Sequence, residues 1–103
     1  MKIVRVTYTT QADYAATNKA NIAAVMNDLQ QLQNPDINYN ICLAPDEKTF
    51  THTAFFRSED DQKILFALES FKSFQEQLKA SAPEQGPKQE FLSLVGTSKE
   101  IFG

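Results

Sequence analysis

The residues with chemical potential are few, and they centre on one histidine. His52 sits within residues 49–57, T-F-T-H-T-A-F-F-R, a run rich in β-branched and aromatic side chains. It is the only histidine in the chain, and the only side chain here whose unperturbed pKa lies near neutrality, as a general base requires. A base at this position could deprotonate an electron-rich substrate. Asn18 could offer an amide to the developing oxyanion, and Tyr8 or Tyr39 a hydroxyl. His52 and Asn18 are therefore the candidate catalytic pair. Each also has a structural role open to it: His52 as a hydrogen-bonded core histidine tying its strand to the first helix, Asn18 as a first-turn residue still in contact with water.

Other groups offer less. With no second histidine to activate its thiol, Cys42 reads as a small packing residue. Asp60 and Asp61 read as charges at a helix start, because nothing nearby completes a coordination shell. One cysteine and one histidine are too few for a structural zinc site within the chain, and they allow no internal disulfide. No metal and no cofactor are expected. The pairs Phe55/Phe56 and Phe71/Phe74 read first as core.

Positioning these side chains falls to a short series of elements. Residues 2–10 alternate as a strand, with Val4, Val6 and Tyr8 on one side and Ile3, Arg5 and Thr7 on the other. Residues 12–33 form a helix whose stripe of Ile22, Val25, Met26, Leu29 and Leu32 extends back through Asn18 to Tyr14. Asn34-Pro35-Asp36 ends it. Residues 37–43 and 49–57 make a hairpin. A loop at 45–48 sets Leu43 opposite Phe50, Ile41 opposite His52, Tyr39 opposite Ala54 and Ile37 opposite Phe56. The large apolar residues then share the face of His52, while Asn38, Asn40, Cys42, Thr51 and Thr53 share the other; a one-residue slip would mix the two.

Ser58 and the acidic residues after it open a second helix, with Ile64, Leu68, Phe71, Phe74 and Leu78 on one stripe. Leu65 and Phe66 fall off that stripe, and Glu69-Ser70 can begin a fresh segment. The pattern predicts a kinked or two-part helix, with Leu65 and Phe66 facing away from the main core. Residues 81–87 read as a polar loop, 88–96 as a fourth strand, and 97–103 as a tail carrying Ile101 and Phe102.

Residues 1–103 are expected to form one domain with one core. A hydrophobic content of 42% with few glycines and prolines suits a compact chain. The formal net charge is -3 and the lysines and arginines are scattered, so neither nucleic acid nor an anionic membrane is an expected partner. The start, M-K-I-V-R-V-T-Y, alternates instead of forming the apolar run of a signal peptide. No stretch is long enough to cross a bilayer, and a cytoplasmic location is the expectation.

The order β-α-β-β-α-β over this length is the split arrangement of a ferredoxin-like α+β fold. Right-handed crossovers and the hairpin give a four-stranded antiparallel sheet in the order 4-1-3-2, with two helices on one face. The other face would carry Arg5, Thr7, Thr51, Thr53 and Phe55, with either Phe91 and Val95 or Leu92 and Leu94. That is too apolar for bulk water, so a second sheet is expected to cover it. Leu65, Phe66, Ile101 or Phe102 would stand at the rim of the contact.

Over essentially its whole length the chain resembles the antibiotic biosynthesis monooxygenase group of dimeric α+β barrels. The resemblance rests on the element order, on Asn18 followed by Ile22, Val25 and Leu29, on T-F-T-H at 49–52, on L-E-S-F-K-S-F at 68–74 and on L-V-G at 94–96. It implies a homodimer with facing sheets, and a pocket for a small aromatic ligand between each sheet and its helices. Tyr8, Tyr39, Phe56, Leu68 and Phe71 are the expected substrate-binding residues. Active members of the group oxidise quinol-like or polycyclic aromatic compounds without a cofactor, or degrade haem.

The chain departs from both patterns. It reads Ile64-Leu65-Phe66-Ala67 where quinol-type members often carry a histidine, and it lacks the tryptophan used by haem-degrading ones. The resemblance therefore implies the pocket and leaves two functions open. One is a cofactor-independent monooxygenase acting on a quinol-like or aromatic metabolite; the other is a non-catalytic ligand-binding or stress-related dimer.

Overall fold

The computed structural model describes residues 1–102. Its elements are β1 (Lys2–Thr9), a 3₁₀ turn (Ala12–Tyr14), α1 (Ala15–Leu32), β2 (Ile37–Leu43), β3 (Thr49–Phe56), α2 (Glu59–Ala67), α3 (Glu69–Ala80) and β4 (Gln85–Leu92). The strands form one antiparallel sheet in the order β2-β3-β1-β4, which is the expected order read from the other edge. Period-two alternation fixes the hairpin register as the sequence predicts: Ile41 lies opposite His52, Cys42 opposite Thr51 and Tyr39 opposite Ala54. Val4, Tyr8, Phe50, Ala54 and Phe56 then share one sheet face, and they pack with Val25 of α1, Leu65 of α2 and Phe71, Phe74 and Leu78 of α3. Leaving water contributes about 1.5–3 kcal/mol for each large apolar side chain so buried. Among the described residues, no helix is long and apolar enough to cross a membrane.

α1 ends where Gln33 takes a left-handed conformation, with φ of 51°, and Pro35 forbids a restart. α2 begins at a capping box in which Ser58 and Asp61 satisfy each other's end of the first turn. The predicted break is present, because Leu68 is extended (φ -68°, ψ 129°) between α2 and α3. That break also corrects the predicted stripe. Leu65 is 2% exposed and belongs to the core, whereas Ile64 is 39% exposed. A helical phase cannot be carried through an extended residue, so α2 turns Leu65 inward independently of the stripe on α3. Leu65 is therefore unavailable for the rim of any contact between copies.

The fourth strand lies three to four residues earlier than residues 88–96. It starts at Gln85 and stops at Leu92. Its neighbours on β1 run from Ile3 opposite Leu92 to Thr7 opposite Lys88, then shift so that Thr9 meets Gln85. Gly86 and Pro87 are the two residues set against Tyr8, a bulge that accommodates a proline lacking N–H on an edge strand. The register puts Phe91 on the helix side with Val4, and Glu90 and Leu92 on the open side with Arg5 and Ile3.

The open face is consequently more polar than expected. Its middle carries Thr7, Thr51, Thr53, Asn40 and Cys42, with Arg5 paired to Glu90 at 3.0 Å. Only the row Leu92–Ile3–Phe55 is apolar. The tail after β4 returns across that end of the sheet: Asn38 Nδ2 on the far edge strand donates to the carbonyl of Ile101 at 2.9 Å, and the Arg57 guanidinium lies 4.8 Å from the centre of the Phe102 ring.

Candidate functional site

The sheet register alone draws a line of polar groups across the helix-covered face. Val6 lies opposite His52 and His52 opposite Ile41, so Tyr8 and Tyr39 are its diagonal neighbours on the two flanking strands. Diagonal neighbours stand about 7–8 Å apart, within reach of aromatic side chains. The Tyr8 hydroxyl meets His52 Nε2 at 2.7 Å, and the Tyr39 hydroxyl meets Nδ1 at 2.6 Å. From above, Asn18 on α1 donates Nδ2–H to the Tyr8 oxygen at 2.8 Å. Asn18 thus reaches His52 through Tyr8, not directly. Fully buried, it is partnered through Nδ2 while its Oδ1 has no partner, and it is not a wet first-turn residue.

Asn18 sets the polarity of the chain. With its oxygen accepting from the amide, Tyr8 gives its own proton to Nε2. A neutral imidazole then carries its proton on Nδ1 and donates to the Tyr39 oxygen. The Tyr39 O–H remains, and Tyr39 lines three neighbouring cavities, two of them together with His52. Burial holds the imidazole neutral, lowering its pKa from 6.5 to about 4. Burial likewise holds both phenols well above the ordinary tyrosine range, the Asn18 hydrogen bond opposing this at Tyr8. Phe74 packs over the imidazole with ring centres 5.4 Å apart.

Beside this chain is a cavity of about 530 Å³ between the sheet and α3, lined by Val6, Tyr8, Tyr39, His52, Phe71 and Phe74, with Gln75, Lys79 and the Gly86-Pro87 bulge among its further walls. That volume suits a molecule of two or three fused rings. A second lobe of about 250 Å³ shares Val6, Tyr39, His52, Phe71, Gln75 and Pro87 and extends toward Phe56 and Leu65. Of the residues singled out from sequence, Tyr8, Tyr39, His52 and Phe71 border the larger lobe, and Phe56 the smaller. Leu68 borders neither; it packs against the core at the α2–α3 joint. Among the described residues, no group of three His, Cys, Asp or Glu side chains stands close enough to hold a metal ion.

No family model matches the chain, nor does any curated protein. Solved structures do. One described as an antibiotic biosynthesis monooxygenase superimposes with a TM-score of 0.78 at 13% identity, over 93% of this chain and 100% of that one. The fold is that of the antibiotic biosynthesis monooxygenases. The Mycobacterium tuberculosis protein Rv0793 matches with a TM-score of 0.77 at 10% identity, covering 95% of this chain and 98% of its own. A mutant of SnoaB, a cofactor-independent oxygenase from Streptomyces nogalater, matches with a TM-score of 0.69 at 14% identity over 96% and 98%. At such identities the likeness lies in the backbone.

Sequence reasoning overlooked the far wall of the cavity. Gln75 and Lys79 follow Phe71 at helical spacing of four and so line the same side of α3. The spacing was legible, but both are exposed polar residues and carry no apolar signal. Gly86 and Pro87 were hidden by their reading as loop.

Proposed function

We propose that this chain binds a hydroxylated aromatic metabolite of the quinol type and oxygenates it, as its anion, without a cofactor. One observation carries this reading: Asn18, Tyr8, His52 and Tyr39 are hydrogen-bonded in series beside an apolar cavity of about 530 Å³, and with Asn18 donating at one end the O–H left over is that of Tyr39. His52 acts here as a relay of polarity and not as the base. Moving a proton from a phenol of pKa about 10 onto an imidazole of pKa about 4 would cost roughly 8 kcal/mol. A donor works in the opposite sense: it stabilises the phenolate left when the hydroxyl gives its proton to solvent at the cavity mouth, beside the exposed Gln75 and Lys79. Each hydrogen bond behind Tyr39 polarises the next.

The anion is electron-rich enough to reduce dioxygen directly. One quinol and one dioxygen give one hydroxyquinone and one water, so the substrate supplies every electron. That a cofactor-independent oxygenase shares the fold supports the reading by analogy. The test uses 1,4-dihydroxynaphthalene. Under nitrogen it should raise the melting temperature by mass action. On admitting oxygen, 2-hydroxy-1,4-naphthoquinone should appear, with one dioxygen consumed per turnover, and Tyr39→Phe should slow this by about 100-fold or more. Absence of binding sinks the proposal. Binding without oxygen uptake would favour the second reading, a non-catalytic binder, which rests on the engagement of both His52 ring nitrogens.

We also propose a homodimer. Its support is now the segment at and after the end of β4, where Phe91, Leu92, Leu94 and Val95 are all exposed, Phe91 by 67% and Val95 completely. A stable contact should bury more than about 1,000 Å² in total. Sedimentation velocity at micromolar concentration should give a dimer, shifted to monomer by Phe91→Asp with Val95→Asp. A wild-type monomer would rule this out.

A further inference from the structure

The larger lobe has one charged residue in its lining, Lys79, and no acidic side chain borders either lobe. Lys79 makes none of the ion pairs found among the described residues, nor does Glu76 one turn before it, while Glu84 pairs with Lys48 at 2.9 Å and Lys72 with Glu69 at 3.6 Å. A lysine in a last helical turn commonly serves the helix's own unpaired carbonyls. Here that service is already supplied. The carbonyls of Gln77, Leu78 and Lys79 accept from the Ser81 and Ala82 N–H groups, and Leu78 also accepts from Ser81 Oγ at 2.6 Å. The ammonium is left for something else.

Taking the cavity as the ligand site proposed above, we infer that Lys79 selects ligands bearing a carboxylate at the end remote from the hydroxyl that meets Tyr39. The two anchors differ in kind. Tyr39 stands where the sheet and helices meet, offering a neutral donor. Lys79 stands on α3 with Gln75, across from the Gly86-Pro87 bulge, and offers a full charge at the solvent side. An aromatic body fills the apolar length between them. Lys79 is exposed, so solvent weakens the pairing and the selectivity should be modest, about five- to tenfold.

The test compares 6-hydroxy-2-naphthoate with 6-hydroxy-2-naphthamide, a neutral probe of nearly the same shape, by fluorescence titration. The carboxylate should bind about five- to tenfold more tightly. Its advantage should shrink as salt rises from about 20 to about 500 mM and vanish in Lys79→Met, which keeps an apolar stem in place. Amide binding should change little in either case. Equal affinities in the wild type, or an advantage surviving in Lys79→Met, would overturn the inference while leaving the pocket intact. Failure of both probes to bind would overturn the pocket reading and this inference with it.

Discussion

Replacing His52 with alanine is expected to lower stability at pH 7 by about 3 kcal/mol, and by much less at pH 4. At neutral pH the change leaves the buried Tyr8 hydroxyl without its acceptor, at a cost of about 1–3 kcal/mol. It also removes an aromatic ring held between Tyr8, Tyr39 and Phe74, with centroids 5.2, 5.7 and 5.4 Å away. The melting temperature should fall by about 12–24 °C in a domain of this size. The pH dependence follows from linkage. Folding lowers the imidazole pKa from 6.5 to about 4, so between those values the unfolded chain binds a proton that the folded chain refuses. Stability therefore rises with pH across that window, is complete above it, and loses about 3 kcal/mol on acidification to its lower end. As His52 is the only histidine, the variant should lack this slope and the two stability curves should converge near pH 4. Parallel curves would show that the imidazole is not held neutral by the fold.

Phe74→Ala is expected to cost still more, about 3–5 kcal/mol. Phe74 is buried, and its ring centre lies 5.9 Å from Phe71 and 6.4 Å from Tyr8 as well as against His52. The gap would merge with the existing cavity instead of collapsing, because the sheet and α3 hold its walls apart. In a domain whose whole stability is about 5–15 kcal/mol, the urea midpoint should fall by a large fraction of its value. The same enlargement should let a bulkier, four-ring phenol bind and restore part of the loss. A cost under about 1 kcal/mol would mean that Phe74 does not pack as described.

The hairpin was legible because burial on one face leaves a period-two record, and Ile37 to Leu43 and Phe50 to Phe56 keep that record without interruption. The break before Glu69 was legible too, as a stripe that changed phase. β4 was not. Its apolar residues, Phe91 and Leu92, stand at its end, while its first half is Gln85-Gly86-Pro87-Lys88, a composition of turns that is tolerated only at a bulged edge. At the site, the residue types pointed to His52, Tyr8, Tyr39 and Asn18, but their order in the hydrogen-bond chain did not follow from sequence. That order depends on diagonal offsets across three strands and on where α1 crosses them. Whether Asn18 or Tyr8 touches the imidazole is decided by a few ångströms of helix placement, which hydrophobic spacing does not record.

The bulged edge has a kinetic consequence. β4 is paired on one side only, almost every residue in it is exposed, and its Gly86-Pro87 bulge walls the cavity opposite Lys79. Strands held by one neighbour open before the body of a domain does. Peeling β4 from β1 would widen the cavity without moving a helix, so the residence time of a bound molecule would be set by strand fraying and not by a hinged lid. A ligand bridging Tyr39 and the far wall would in turn slow amide exchange along β4, making the least protected strand the most direct reporter of occupancy.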